Sequence, residues 1–334
     1  METSPVCRFN SDVLLIDCEK ETRRIEDFIR REVLTNFRKA GAVVGMSGGV
    51  DSAVMATLCV RSLGVEKVLG LILPERESNP ISAEYARKHA SALGISVIEV
   101  DISPHLESLG AYDKRDQIVK KVFPEYGDGY TFKLALPQNL LDKDRFNIYS
   151  LKIQGPDGEW KTKRLSVSDY LGIVAASNMK QRTRMIELYY FAERSNYLVA
   201  GTTNRTEVDQ GFFVKYGDGG VDIEPIAHLY KVQVYQLARY LEIPPEIIER
   251  TPTPDTFTSE ASDEEFYFCL PYDTLDLLLY AKENNVPFEE ITTATGLSEE
   301  QIKRAFKDFD AKGKATETFR HMPPAPDWDP VNPA

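Results

Sequence analysis

An α/β fold built on an open parallel sheet, with helices on both faces and one inserted β-hairpin, is predicted by three observations. Apolar runs of strand length alternate with runs of helical spacing in the amino-terminal part of the chain, and this alternation implies right-handed βαβ units. A glycine-rich segment, Ser47-Gly48-Gly49-Val50-Asp51-Ser52, joins one apolar run directly to a helix-like one. Further on, the alternation breaks into a pattern of period two around a Gly155-Pro156-Asp157-Gly158 turn.

Each element has its own signal. Residues 19–37 carry apolar side chains at helical spacing and read as an amphipathic helix. Ala42 to Met46 reads as a buried strand, and Ala53 to Val60 as the helix that follows. Val68 to Leu73 is a second strand, and Ser82 to Leu93 a helix ended by Gly94. Ile95 to Ile102 is a third strand. The interval from about 111 to 165 departs from the pattern, with Phe146 to Gln154 and Glu159 to Leu165 as the arms of a hairpin. That hairpin reads equally as a lid, a subunit contact or a surface excursion. Ser166 to Arg194 is a long helical region with Gly172 as a point of interruption, and Tyr197 to Thr203 a fourth strand. Leu229 to Leu241 is a helix, Thr251 to Asp263 a flexible polar loop, and three helices follow near 271–284, 287–294 and 298–309. Residues 1–310 are expected to form a single domain, and 311–334 a tail that is basic and then proline-rich.

Composition narrows the function. A net charge of −12 argues against a nucleic-acid surface, although Lys180, Arg182 and Arg184 are close enough to make a local basic patch. No run approaches the roughly 18 apolar residues of a membrane span, and Met1 to Asn10 does not look like a signal peptide, so a cytoplasmic location is expected. The four cysteines, Cys7, Cys18, Cys59 and Cys269, have neither metal nor redox spacing and read as reduced thiols.

The 47–52 segment carries the chemistry. A strand, a glycine turn and a helix start present free N–H groups and a positive dipole end, which together bind phosphate. Ser47 and Ser52 add hydroxyl donors, and Gly48 and Gly49 allow close approach. Asp51 would repel phosphate unless a cation lay between, so it implies Mg²⁺. The segment lacks the Walker lysine and resembles the pyrophosphatase loop of enzymes that cleave ATP between its α and β phosphates. Two other polar clusters fall at strand ends, 74–78 with Arg76 and 201–207 with Thr202 and Glu207. Open parallel sheets bind ligands at such ends. Arg76 suits a phosphate or adenine, and Glu207 suits a Mg²⁺ shell shared with Asp51.

These clusters, with Asn178-Met179-Lys180-Gln181-Arg182-Thr183-Arg184, Lys215-Tyr216-Gly217-Asp218-Gly219-Gly220-Val221-Asp222 and Pro252-Thr253-Pro254-Asp255, resemble the NAD synthetase family. The resemblance spans about 20 to 310, the hairpin excepted. It implies a Rossmann-like fold of the adenine nucleotide alpha hydrolase type. It implies an ammonia-dependent ligase that amidates nicotinic acid adenine dinucleotide through an acyl-adenylate, releasing AMP and pyrophosphate. Ser47 to Ser52 (Gly48, Gly49, Val50 and Asp51 included), Thr202, Lys231 and Thr253 would then contact ATP. Asp51 and Glu207 would hold Mg²⁺. Arg182, Lys215 and Asp222 would bind the dinucleotide, with Asn178 and Thr183 as further candidates, and Asp218 would take a proton from the entering ammonium. The family further implies a homodimer with substrate at the subunit interface.

Three departures qualify the resemblance. Roughly forty residues precede the first strand, too few for a glutaminase domain, so free ammonia is expected unless a separate glutaminase supplies it. The tail, Thr318-Phe319-Arg320-His321-Met322-Pro323-Pro324, has Phe319 where the family has histidine and Arg320 in place of lysine. The hairpin is the third. They leave open a different acid, such as nicotinic acid mononucleotide. An RNA-acting relative of the same loop class, and a binding module without catalysis, are the readings from other classes.

Overall fold

The computed structural model describes residues 9–137, 140–142 and 148–324. Cys7, the first hairpin residues Phe146 and Asn147, and the end of the tail lie outside these.

Helix α1 (Cys18–Arg31), continued by a wide turn at Glu32–Asn36, precedes β1 (Gly41–Gly45). Then come α2 (Val50–Leu63), β2 (Val68–Ile72), α3 (Pro80–Leu93), β3 (Ser96–Glu99) and α4 (Ser103–Ser108). The four-stranded sheet is parallel, in the order β3-β2-β1-β7, with β7 at Tyr197–Ala200. The chain works outward from β1 and then returns to the other side of it through α6 (Val167–Ser195). Strand order therefore reverses between β1 and β7, and a crevice opens at their carboxyl ends.

Alternation along β1 separates two cores. Ala42 and Val44 pack with Ile25, Ile29 and Leu58 on one face. Val43, between them in sequence, packs with Leu106, Tyr112 and Phe191 on the other. Helices on both faces are thus what a strand apolar at every position requires.

The interval 111–165 holds more order than the sequence discloses. Helix α5 (Ala111–Val122) comes first, then an antiparallel sheet of β4 (Thr131–Ala135), β5 (Ser150–Gln154) and β6 (Trp160–Arg164). The predicted hairpin is two of its three strands. It is no surface excursion, because Leu151 and Ile153 are fully buried in a third core with Phe132 and Leu134. That core also takes residues from α10 (Tyr272–Glu283), α11 (Phe288–Thr295) and α12 (Glu299–Ala315).

Helix α6 runs through Gly172 without a break. A Cβ there would lie 2.4 Å from Ile118 Cδ1, so the glycine admits α5 against α6 instead of interrupting the helix. The segment 251–263 has no regular structure but is not free. Asp255 accepts from the Asn79 N–H and the Ser82 hydroxyl, the Ser259 N–H donates to the Phe132 carbonyl, and Phe257 is buried. Lys180, Arg182 and Arg184, close enough in sequence to make a basic patch, do not form one, since Lys180 is buried and Arg184 donates to the Leu73 carbonyl. No described helix is long and apolar enough to cross a membrane. Short helices α7 (Arg205–Gln210), α8 (Lys231–Tyr240) and α9 (Pro245–Ile248) complete the fold.

Candidate active site

A cavity of about 1160 Å³ occupies the crevice at the carboxyl ends of β1 and β7. It is walled by the 47–52 turn, the 74–83 segment, α6, the 200–203 strand end and the 250–257 loop.

The turn has the geometry its sequence calls for. Gly48 has φ +74°, and a Cβ there would sit 2.2 Å from the Ser82 carbonyl oxygen, so only glycine fits. The Ser52 hydroxyl donates to the Gly49 carbonyl and accepts from the Ser47 N–H, tying the turn to the first turn of α2. No side chain caps α2 at Gly49, so its leading N–H groups are left for a ligand.

Opposite the turn stands a charged group at the start of α7 and α8. Lys231 Nζ is 2.5 Å from Asp51 Oδ2 and 3.7 Å from Glu207 Oε1. Burial works against the Lys231 ammonium, but Asp51 and Glu207 outweigh it and raise the Lys231 pKa. Burial, and then Asp51, push the Glu207 carboxyl well above its usual range. Lys231 is fixed from behind, because its N–H donates to the Thr206 hydroxyl, and that hydroxyl donates to buried Asp276. Asp276 also accepts from the Val232 N–H at the start of α8.

Asn204 is a site residue that sequence reasoning missed. Its Nδ2 donates to Asp51 Oδ1 at 3.0 Å, and its Oδ1 accepts from the Glu207 N–H. Glu207 Oε2 accepts the Asn204 N–H in return. This is a capping box, and Asn204-x-x-Glu207 carries its signature in the sequence. It holds one oxygen of Glu207 and leaves Oε1 toward Lys231. Asp263 was missed as well, and lies among neighbouring acids that give it no distinguishing signal.

The other predicted residues separate into two groups. Ser47, Gly49, Val50, Asp51, Ser52, Arg76, Asn178, Thr202, Glu207, Asp218, Lys231 and Thr253 line the cavity. The Arg76 guanidinium, however, lies 3.6 Å from the centre of the Tyr112 ring and pairs with Glu107. Asp218 is exposed and accepts from the Val214 N–H at 2.8 Å. Arg182, Thr183, Lys215, Asp222 and Arg320 do not line the cavity. Arg182 reaches the Lys215 carbonyl, and Thr183 donates to the Met179 carbonyl. Lys215 donates to the Thr318 and His321 carbonyls, and Arg320 to those of Val208, Asp209 and Thr316. Asp222 accepts from the Val199 N–H and the Tyr189 hydroxyl.

The chain is similar to known proteins in sequence and fold. The NAD synthase family pattern matches residues 21–123 and 139–313. The hairpin therefore lies inside the match, contrary to the sequence reading, and the unmatched stretch is 124–138. The NH(3)-dependent NAD(+) synthetase of Mesorhizobium japonicum is 48% identical over 311 residues, covering 93% of this chain and 97% of that one. The protein of the same name from Methanocaldococcus jannaschii is 35% identical over 92% of this chain and 97% of its own. Among solved structures, the NMN synthetase of Francisella tularensis superposes with TM-score 0.65 at 21% identity, over 94% of this chain and 100% of that one. The NH3-dependent NAD synthetase of Campylobacter jejuni gives 0.59 at 24%, over 93% and 99%. With the family pattern covering most of the chain and relatives this similar over nearly their whole length, the chain belongs to the NAD synthase family.

Proposed function

We propose that this chain amidates nicotinic acid adenine dinucleotide to NAD, with ATP as co-substrate and ammonia as nitrogen donor, through an acyl-adenylate. The observation that carries the reading is the meeting of the 47–52 turn with Lys231 across one cavity. A carboxylate is a poor electrophile because its charge repels nucleophiles and its oxygen leaves badly. Its attack on the α-phosphorus of ATP expels pyrophosphate and gives an acyl-adenylate. Ammonia then attacks the acyl carbon, and AMP departs. The turn's N–H groups and the buried Lys231 ammonium suit the negative charge on the phosphorus oxygens. The cavity holds the two anionic reactants together against their repulsion.

Asp51 and Glu207 would hold Mg²⁺. Their hard oxygen donors fit that ion, and two carboxylates leave positions for phosphate oxygens. Burial, and after it the Asp51 charge, raise the Glu207 pKa against the lowering effect of Lys231. When bound, the ion would neutralise phosphate charge. Among the described residues no group of three or more His, Cys, Asp or Glu side chains forms a metal-holding set, so the phosphates would complete the shell.

A homodimer fits the residues outside the cavity. Helix α6 leaves Val167, Leu171, Ile186 and Tyr190 exposed, and Arg182 lies on the same helix. A second copy covering this face would put Arg182 beside its partner's surface, where the dinucleotide would lie. Ile186→Glu is expected to convert dimer to monomer in light scattering and to raise the dinucleotide KM about tenfold or more. A monomeric wild type contradicts this.

The test of the reaction is product analysis with ATP, Mg²⁺, ammonium and the dinucleotide. AMP, pyrophosphate and NAD are expected in equal amounts. NAD from glutamine but not from ammonium, or amide from a different acid only, would overturn it.

A further inference from the structure

We infer that Arg320 is a positioning residue that clamps the carboxyl end of α7, the helix presenting Glu207 to Asp51 and Lys231, and that it does not touch the dinucleotide. The role rests on the amidation proposed above, and it departs from the substrate contact that the family resemblance implies for this position. The Arg320 Nε donates to the Val208 carbonyl at 3.1 Å, and its Nη2 to the Asp209 carbonyl at 3.1 Å. Its Nη1 donates to the Thr316 carbonyl at 2.7 Å, and Nη1 and Nη2 each reach the Thr316 hydroxyl at 3.3 Å. A guanidinium has five N–H donors and no acceptor, and these five bonds occupy them. None is left for a phosphate, and Arg320 does not line the cavity.

Helix α7 needs the clamp because it is only 6 residues long, and so short a helix is not stable by itself. Its first turn is closed by the Asn204–Glu207 capping box. Its last carbonyls depend on side chains from elsewhere: Gln210 accepts the Tyr267 hydroxyl, while Val208 and Asp209 accept Arg320. A cation there also suits the negative end of the helix. The tail is seated for this task. Thr316 is buried, and a Cβ on Gly211, the left-handed residue that ends α7, would collide with its hydroxyl. Lys215 Nζ holds the same stretch through the Thr318 and His321 carbonyls, at 2.8 and 3.1 Å. Phe319 packs edge-on against Phe213 at the cavity wall. A shift of α7 would carry Asn204 Nδ2 away from Asp51 Oδ1 and Glu207 Oε1 away from Lys231 together, because both residues belong to its first turn.

The test uses the full chain and Arg320→Met, which keeps the apolar stem and removes the donors. Arg320 is exposed, so the core is left as it is. Steady-state NAD formation gives kcat and the dinucleotide KM, and amide hydrogen exchange read by mass spectrometry, without substrates, gives the protection of residues 205–212. The expected kcat is about 10- to 100-fold lower, the cost of a displacement of about 1 Å in the reacting groups. The dinucleotide KM should stay within about twofold of the parent, the pattern of a residue that does not bind substrate. Exchange at 205–212 should quicken about tenfold, with β1 and α2 unchanged. A dinucleotide KM raised about tenfold or more at unchanged kcat would return Arg320 to the substrate and overturn the assignment. Unchanged exchange at 205–212, or faster exchange throughout the parallel sheet, would overturn it as well. A parent that forms no NAD would sink the amidation reading, and the exchange data would still decide whether Arg320 holds α7. NAD formation by the parent with an unaffected variant sinks only the clamp.

Discussion

Asp51→Asn is expected to lower turnover about 10²- to 10³-fold while the circular dichroism spectrum stays that of the parent. Asp51 is held on both oxygens, by Lys231 Nζ at 2.5 Å and by Asn204 Nδ2 at 3.0 Å. Asparagine keeps the shape but offers one oxygen and one NH₂ group. That group must face either the Lys231 ammonium or the Asn204 amide, and both are donors. The lysine loses its nearest counter-charge, and the pair of carboxylates proposed for Mg²⁺ becomes one. Core packing is untouched, since the surrounding apolar residues keep their contacts. Steady-state NAD formation together with pyrophosphate release measures the effect. Activity within tenfold of the parent would show that Asp51 has been given the wrong role.

The second large effect is on stability. Lys180→Met is expected to cost about 3–5 kcal/mol of unfolding free energy, the range for removing one member of a buried ionic group. Lys180 Nζ donates to Glu75 Oε1, Glu77 Oε2 and the Thr256 carbonyl, each at 2.8 Å, and is 1% exposed. Glu77 also holds Arg115 through two bonds, and Glu75 accepts the Tyr112 hydroxyl. Burial favours the protonated form of Glu77, but Arg115 and Lys180 prevail and hold its pKa below the usual value. Methionine fills the same volume and leaves Glu75 without its cation. The loop carrying Thr256 would be released at the same time, so ATP affinity should fall with stability. Urea unfolding measures the first and ATP titration the second. A loss below about 1 kcal/mol would mean that the carboxylates find water or protons instead.

The parallel sheet was legible because its strands are short, the central ones are apolar at almost every position, and helices separate them. Ala42 to Val44 is buried on both faces, and Gly94 ends its helix in the left-handed conformation as expected. Within 111–165 the hairpin was legible but α5 and β4 were not, for a physical reason. Residues 111–122 mix buried Tyr112, Arg115 and Val119 with five charged neighbours, so apolar periodicity is weak where an arginine fills a core position. β4 pairs with a strand distant in sequence, and no local turn announces it.

The site divides in the same way. Asp51, Glu207 and Lys231 come from three segments, and motif order placed them together before any geometry was known. Asn204 was readable as a capping residue but not as a partner of Asp51. Lys180 looked like part of a basic surface because sequence cannot show that Glu75 and Glu77 fold beneath it. Arg182 and Lys215 keep to backbone carbonyls outside the cavity, which a single chain cannot convert into a substrate contact.

The most direct measurement is isotope transfer in the full reaction with ATP, Mg²⁺ and ammonium. The nicotinic acid adenine dinucleotide would carry ¹⁸O in its nicotinate carboxylate, and the AMP formed would be weighed by mass spectrometry. The account predicts one ¹⁸O in each AMP and the other in the amide of NAD. AMP without label, or label in pyrophosphate, would contradict an acyl-adenylate and with it the role assigned to this site.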